Sequence, residues 1–343
     1  MRLRHALAVV VFLAMGSMGF AQSAGPYKVL KTVKVGGVGG FDYVTADSVG
    51  RRLYIPRSGT GARISVFDLD TLAPAGEIPN VAARGVAVST KSGHGFTSSK
   101  PVVMFDTKTL APLKNIDVEG GPDGILWDPF NNRVYVFSHR APNATVIDAA
   151  DGAVLGNIDL GGMPEQAVSD GKGRIYIDIE DKSNVAVVDA KTMKVTAHYD
   201  IEGKGGVCAG LALDAKNNIL FAACRNPQSM VMLSATGGKV ITTLPLGVGT
   251  DGAGFNPKTR EAFSSQGDGT LTIVKENGPA SFEVLQTVQT MRTAKTMTMD
   301  TKTGHILLIA AEYGAPTPPA QPGGRPGRGP LVADSFSILV VGK

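Results

Sequence analysis

Short alternations of apolar and polar residues, separated by polar turns, run along the chain from about residue 27 onward. The segment YVTADSVGRRLYIP shows the unit: an apolar alternation, a turn of Asp, Asn, Gly and Lys type, and a second alternation. Alternation with a period of two predicts a half-buried β-strand, and two such runs around a short turn predict a hairpin. The unit recurs seven times, 39 to 44 residues apart, with its turns anchored at Asp47, Ser89, Asp128, Asp170, Asp214, Asn256 and Asp300.

A second hairpin follows the first in six of the seven copies, in segments such as ISVFDLDTLAPAGEI and ATVIDAADGAVLGNI. Each repeat therefore supplies four short strands. Repeats of about 40–50 residues with four strands are typical of propeller blades arranged around a central channel. We predict an all-β fold, a seven-bladed β-propeller with four-stranded blades, over residues 22–343.

The seventh repeat lacks its fourth strand, and a strand-like segment, YKVLKTVKVGG, stands alone at residues 27–37. If this N-terminal strand joins the C-terminal strand SFSILVVGK, it closes the ring and leaves no exposed sheet edge. We therefore expect the N-terminal strand to complete the last blade.

An insertion rich in proline and glycine, YGAPTPPAQPGGRPGRGPLVAD at residues 313–334, interrupts the last blade and carries Arg325 and Arg328. Its composition cannot form a packed core, so we expect a mobile loop on one face. A tolerated surface insertion, a lid and a partner contact are all open interpretations of this loop.

The repeats resemble those of a known family. The hairpins RRLYI, NRVYV and GRIYI, followed by VFDLDT, VIDAADG and VVDAKT, are similar to the YVTN repeats of YncE-like propellers. The similarity covers essentially the whole chain after the leader, and it implies a binding scaffold rather than a particular activity. Two positions depart from the pattern: Ser89 replaces the first turn aspartate of its repeat, and Lys275 replaces the later one.

The chain begins with MRLRHALAVVVFLAMGSMGFAQ, which has two arginines, an apolar run and small residues up to Ala21. This order predicts a signal peptide over residues 1–21, and therefore a periplasmic or secreted bacterial protein. The apolar run is shorter than the roughly 20 residues of a membrane-spanning helix. We expect no membrane span once the leader is removed.

The charge balance does not favour nucleic acid as a partner. The chain has 34 basic and 30 acidic residues, a net charge of +4, and the leader contains two of the basic residues. A nucleic-acid-binding surface usually requires a much larger basic excess. We expect a monomer whose partner is a small polar ligand or another protein.

One position in each repeat, about five residues before the turn anchor, carries an unusual set of side chains. Around the ring this position holds Asp42, Arg84, Asp123, Glu165, Ala209, Asp251 and Lys295. Six of the seven are ionisable, which is rare in innermost strands. The return strands add a second set, Arg57, Lys100, His139, Glu180, Arg225, Gln266 and Glu312. We predict a charged channel mouth whose ligand-binding residues are Asp42, Arg84, Asp123, Glu165, Asp251, Lys295, Arg57, His139 and Arg225.

Two interpretations of this ring stay open. Arg84 lies between two acids and Lys295 between two others, so most of the ring could neutralise itself as a structural belt. Such a belt does not neutralise the adjacent Asp123 and Glu165, and two adjacent carboxylates share a proton or attract a cation or a basic ligand. A divalent cation at Asp123, Glu165 and Asp251 is the one cofactor that the sequence suggests.

Motifs for catalysis are missing from the sequence. There is no His-x-His, no His-Glu-x-x-His, no Gly-x-Ser-x-Gly and no phosphate-binding loop, so no catalytic residue is assigned. We therefore favour a non-enzymatic protein that binds a small polar ligand, a cation or a protein partner at the channel mouth. The alternative is a metal-assisted hydrolase or lactonase that uses the mouth carboxylates, and a structural role in an envelope assembly is a third.

The two cysteines, Cys208 and Cys224, flank one repeat hairpin, VCAGLALDAKNNILFAAC. If Leu213 pairs with Ile219, the cysteines stand opposite each other, within reach of a disulfide. An exported protein meets an oxidising compartment, which favours the disulfide over free thiols, metal ligation or redox chemistry.

Overall fold

The computed structural model describes residues 25–318, 327 and 329–343. The predicted leader, Arg325 and Arg328 lie outside the described residues. The described chain forms seven antiparallel sheets of four strands each, which confirms the predicted seven-bladed β-propeller. Within the described residues, the one helical element is a 3₁₀ turn at Glu180–Lys182, and no helix is long and apolar enough to cross a membrane.

In the first three blades, the strands follow one another in the chain and pair in the same order. Blade 1 consists of β2 (Thr45–Asp47), β3 (Arg52–Arg57), β4 (Arg63–Asp68) and β5 (Pro74–Pro79). Blade 2 consists of β6 (Val86–Ser89), β7 (His94–Thr97), β8 (Val102–Asp106) and β9 (Pro112–Ile116). Blade 3 consists of β10 (Pro122–Asp128), β11 (Arg133–Ser138), β12 (Asn143–Asp148) and β13 (Val154–Asp159).

The next three blades repeat this order. Blade 4 consists of β14 (Pro164–Ser169), β15 (Arg174–Ile179), β16 (Asn184–Asp189) and β17 (Lys194–Asp200). Blade 5 consists of β18 (Cys208–Asp214), β19 (Ile219–Arg225), β20 (Gln228–Ser234) and β21 (Val240–Pro245). Blade 6 consists of β22 (Thr250–Asn256), β23 (Glu261–Gln266), β24 (Thr270–Gly278) and β25 (Ser281–Gln289).

Blade 7 is built from both ends of the chain. Its strands are β26 (Met297–Met299), β27 (Ile306–Ala310), β28 (Ser337–Gly342) and the N-terminal β1 (Lys28–Lys34). β1 pairs antiparallel with β28, with Lys28 opposite Gly342 and Lys34 opposite Ser337. The N-terminal strand therefore completes the last blade, as the sequence predicts.

The core consists of apolar layers between neighbouring blades. In β3, Leu53 and Ile55 pack with Phe336 and other residues of blade 7, whereas Tyr54 packs with Phe105 and the rest of the blade 2 side. Successive residues of a strand point to opposite faces of the sheet. Both faces of a blade are therefore buried, and the alternating sequence pattern is what places each residue in one layer or the next.

The turn aspartates hold the outer hairpins. In blade 1, Asp68 Oδ1 accepts hydrogen bonds from the backbone N–H and the hydroxyl of Thr71, both at 2.7 Å. Blade 6 has Lys275 at this position, and there β24 continues to Gly278, which pairs with Ser281. Without the capping carboxylate the strands extend, and this hairpin becomes the longest in the propeller.

Cys208 and Cys224 are paired across the β18–β19 hairpin and form a disulfide. The register of the two strands near the turn differs from the predicted one. Leu213 lies opposite Leu220 rather than Ile219, and a β-bulge between Cys208 and Gly210 restores the alignment of the cysteines. The predicted register at the turn was wrong by one residue, and the bulge compensated for it.

Candidate functional site

The bulge in blade 5 is one of four at the same level of the ring. The pairing of the innermost strand shifts by one residue in β10, β14, β18 and β22, within the segments Pro122–Ile125, Pro164–Ala167, Cys208–Gly210 and Thr250–Gly252. These segments contain the ring positions Asp123, Glu165, Ala209 and Asp251. A bulge bends the strand and re-aims the side chain of the extra residue, so it explains how charged side chains leave apolar strands and reach the channel mouth.

The mouth is an open cavity of about 380 Å³. Its ionisable lining comprises Asp42, Arg84, Asp123, His139, Arg140, Glu165, Arg225, Asp251 and Lys295. The six ionisable ring positions of the sequence therefore meet in one cavity, together with His139 and Arg225 from the return strands.

Most of these charges are paired in a continuous belt. The ion pairs are Arg84–Asp42 at 2.7 Å, Lys295–Asp42 at 3.7 Å and Arg225–Glu180 at 2.8 Å, and Asp251 contacts both Arg225 and Lys295. The belt runs from blades 4 and 5 through blades 6 and 7 to blades 1 and 2. Along this arc each carboxylate has at least one permanent cation within contact distance.

The arc of blades 3 and 4 is different. His139 Nε2 lies 3.2 Å from Asp123 Oδ2 and 3.5 Å from Glu165 Oε1. One potential ligand atom of each residue lies within 4.8 Å of the other two. The only permanent cation that contacts either carboxylate among the described ion pairs is Arg84, whose Nε is 3.3 Å from Asp123 Oδ1. This side of the mouth therefore has an excess of negative charge.

Burial and like charge make ionisation of this pair unfavourable. Burial, followed by the nearby Asp123 carboxylate, raises the pKa of Glu165 to about 8. Burial, followed by Asp42, raises the pKa of Asp123, although His139 and Arg84 oppose that shift. Carboxylates with raised pKa values either hold a proton or require a positive partner.

Neighbouring groups hold the two acids in place. The Tyr43 hydroxyl donates a hydrogen bond of 2.8 Å to Glu165 Oε2. Gly124 permits the close approach of blades 3 and 4, because a Cβ there would lie 3.0 Å from the Glu165 carbonyl oxygen. Below the mouth, the Gln166 side chain donates to the Ala253 carbonyl oxygen at 2.9 Å and accepts from the Ala253 amide at 3.0 Å. This amide links blade 4 to blade 6 across the channel.

Arg57 was expected at the mouth but lies elsewhere. It is only 2% exposed, and its guanidinium stacks 3.5 Å above the Phe336 ring. It donates to the carbonyl oxygens of Gly36 and Val38, so it fastens the N-terminal segment to blade 1. Arg57 therefore does not line the mouth cavity, and its contacts are with the N-terminal segment and Phe336.

Other return-strand residues are also outside the cavity lining. Lys100 donates to the Gly120 carbonyl oxygen, Gln266 is fully buried within blade 6, and Glu312 is exposed beside the insertion. Asp251, expected among the metal ligands, contacts Arg225 and Lys295 instead, and His139 takes its place beside Asp123 and Glu165. Because these differences arise from contacts between blades, the repeat pattern does not contain them.

Sequence reasoning missed several residues of the site. Tyr43 and Arg140 each follow a predicted site residue, and that adjacency was the available signal. Asp178 had no sequence signal: it is completely buried in β15, and neither carboxylate oxygen has a hydrogen-bond partner. Burial, followed by the charge of Glu165, raises its pKa well above the usual range.

The fold and its charged mouth define the class of this protein, a seven-bladed β-propeller. No protein-family model matches the chain, and no curated protein matches its sequence. Solved structures do share the fold. The WD40 repeats of RRP9 match with a TM-score of 0.73 and 9% identity, over 94% of this chain and 99% of that one.

Two further structures agree. U3-55K matches with a TM-score of 0.72 and 10% identity, over 93% of this chain and 99% of that one. A chain of the mitotic checkpoint complex matches with a TM-score of 0.72 and 9% identity, over 99% of this chain and 98% of that one. Identities this low show a shared β-propeller fold and carry no information on the ligand.

Proposed function

We propose that this protein is an exported, non-enzymatic propeller of the YVTN/YncE-like kind that binds a small polar ligand at its channel mouth. The ligand presents a positive centre to Asp123 and Glu165. One observation carries the proposal: these two carboxylates lie beside an open cavity, and among the described ion pairs the only permanent cation that contacts either of them is Arg84, beside Asp123, whereas Asp42 and Asp251 each contact two.

The belt supports this function by keeping the mouth rigid. Asp251 is held between Arg225 and Lys295, and Asp42 between Lys295 and Arg84. A preorganised site loses little conformational entropy when the ligand binds. The paired cations also confine the negative excess to blades 3 and 4, so that a positive centre has one preferred position.

The leader-like N-terminus and the disulfide support export. Structural disulfides persist in oxidising compartments and are rare in the cytosol. Cys208 and Cys224 are both nearly inaccessible, as expected of a structural cross-link rather than a redox site. The repeat motifs quoted above support the YVTN/YncE-like kind.

The proposal is tested by calorimetry and thermal-shift measurements with small ammonium, guanidinium and divalent metal compounds at low salt. We expect at least one of them to bind with one site per chain, and Glu165→Gln to lower its affinity at least about tenfold. The control Glu202→Gln changes an exposed glutamate outside the mouth and should leave the affinity unchanged. Failure of every compound to bind, or equal affinity in the two variants, would contradict the proposal.

Metal-assisted hydrolysis is the second candidate. The observation that favours it is the position of His139 between two carboxylates at the edge of an open cavity, because catalytic metals keep one coordination position free. Metal-dependent turnover of lactones or esters that disappears in His139→Gln would establish this function. Turnover without added metal, or turnover that persists in the variant, would count against it.

A further inference from the structure

We propose that Asp123, His139 and Glu165 form a binding site for one divalent transition-metal ion, and that Zn²⁺ fits it best. The ion supplies the positive centre at the mouth, so this inference rests on the proposed function and names the chemical class of what that site binds. The ligand atoms are Asp123 Oδ2, His139 Nε2 and Glu165 Oε1.

The spacing of these atoms matches a tetrahedral ion. Three ligands about 2.1 Å from a tetrahedral Zn²⁺ are separated from one another by about 3.4 Å. The two separations that involve His139 Nε2 are 3.2 and 3.5 Å, and all three atoms lie within 4.8 Å of each other. Small side-chain rotations of the two carboxylates would complete the geometry.

Unpartnered atoms provide a second, independent observation. His139 Nε2 and Asp123 Oδ1 are both buried without a hydrogen-bond partner: the imidazole nitrogen has only the two carboxylates beside it, and Asp123 Oδ1 has only the ion pair with Arg84 Nε at 3.3 Å. Asp123 and Glu165 are each 8% exposed, so water reaches them poorly. Buried polar atoms without hydrogen-bond partners are uncommon in folded proteins, and a bound cation would satisfy both of these atoms' neighbours.

The surroundings orient the ligands as in known metal sites. Glu165 receives the Tyr43 hydrogen bond on Oε2 and turns Oε1 towards His139. Asp123 has Arg84 beside Oδ1 and turns Oδ2 towards His139. Each carboxylate thus uses one oxygen for support and leaves the other free. Such outer contacts fix ligand orientation and raise metal affinity.

The ligand set selects the class of ion. Imidazole favours transition metals, and Ca²⁺ needs six to eight oxygen ligands, more than this group offers. Two carboxylates balance the charge of one divalent ion. The side that faces the cavity leaves a position for water or for a donor atom of the polar ligand.

The test uses the untagged protein after treatment with a chelator. Calorimetry with Zn²⁺ should show one ion per chain, and Co²⁺ should develop the visible absorption of a tetrahedral complex. His139→Gln and Asp123→Asn should each lower the Zn²⁺ affinity at least about tenfold, and Tyr43→Phe should lower it about tenfold through the lost support of Glu165. His139 is partly exposed, so its replacement leaves the core intact.

Two variants serve as controls. His198→Gln removes an exposed histidine of β17, and Glu202→Gln removes an exposed glutamate outside the mouth; neither should change the stoichiometry or the affinity. If the His139→Gln and Asp123→Asn variants bind Zn²⁺ as tightly as the wild type, the inference is overturned. If a small organic cation binds and depends on Glu165 while Zn²⁺ does not bind, the metal inference fails and the proposed function stands. If neither binds, both fail.

Discussion

Acidic side chains of similar burial have different roles in this propeller, and their partners decide which. Asp251 is held by two cations, whereas the described contacts of the Glu165 carboxylate are with a tyrosine hydroxyl and an imidazole. Asp300, in the turn after β26, receives both Nη atoms of Arg51 at 2.8 Å. That ion pair joins blade 7 to blade 1, at the seam where the ring closes.

The Asp300–Arg51 pair makes stability depend on pH. Burial raises the pKa of Asp300, but hydrogen bonds from Arg51, Thr303 and the Lys302 amide outweigh it and hold the pKa well below its usual range. A carboxylate with a depressed pKa contributes stability above its unfolded pKa, about 4, and that contribution is lost as the pH falls through the folded value. Asp300→Asn should therefore lower the free energy of unfolding by about 3 kcal/mol at pH 7.

Urea denaturation at pH 7 and at pH 3 measures this effect, and the difference between the variant and the wild type should shrink at the lower pH. Asp70→Asn is the matched control, because Asp70 also pairs with Arg51 but is half exposed. Its loss should cost much less than the loss of Asp300, because an exposed ion pair contributes little to stability. Equal losses in the two variants would show that burial of Asp300 does not matter.

Among the elements, the innermost strands combine two tasks. Their alternating residues pack the blades, and in blades 3 to 6 a bulge places one residue at the level of the channel mouth. In blade 5 the residue at this position is Ala209, and the adjacent Cys208 forms the disulfide. The hairpin of blade 5 therefore has a covalent link at the level where the other blades have charged contacts.

Removal of the disulfide should weaken the protein without changing the mouth. A cross-link that closes a loop of 16 residues stabilises by about 3 kcal/mol, chiefly by restricting the unfolded chain. The double variant Cys208→Ala, Cys224→Ala should lose about that amount in urea denaturation and retain ligand binding. A reductant should lower the stability of the wild type alone; an effect of the same size on the double variant would contradict the prediction.

On the scale of the whole molecule, the ring is held closed by β1. This strand pairs with β28 at six positions although most of its side chains are exposed, so its contribution comes mainly from backbone hydrogen bonds. The preceding Tyr27 adds contacts to blade 6, since its hydroxyl donates to Glu261 and its amide donates to Gln286. Closure therefore joins blades 6, 7 and 1.

Deletion of residues 25–35 should lower the free energy of unfolding by about 3–6 kcal/mol, at about 1 kcal/mol per lost hydrogen bond. The exposed edge of β28 should also promote association between chains. Trp127 fluorescence in urea and gel filtration measure the two effects. A permuted chain with this segment appended after Lys343 by a short turn should recover stability, because Lys28 lies opposite Gly342. A deletion variant as stable as the wild type would contradict the closure model.

The sequence by itself determined the seven repeats, the strand that closes the ring and the cysteine pair, because strand alternation and turn chemistry are local and recur in every blade. It also identified the ring positions, since each stands at a constant distance from its turn. The tertiary structure alone decided which acids are paired, that His139 replaces Asp251 beside Asp123, and that Arg57 is buried. Those outcomes depend on bulges and on contacts between blades far apart in the chain, where a shift of one residue redirects a side chain.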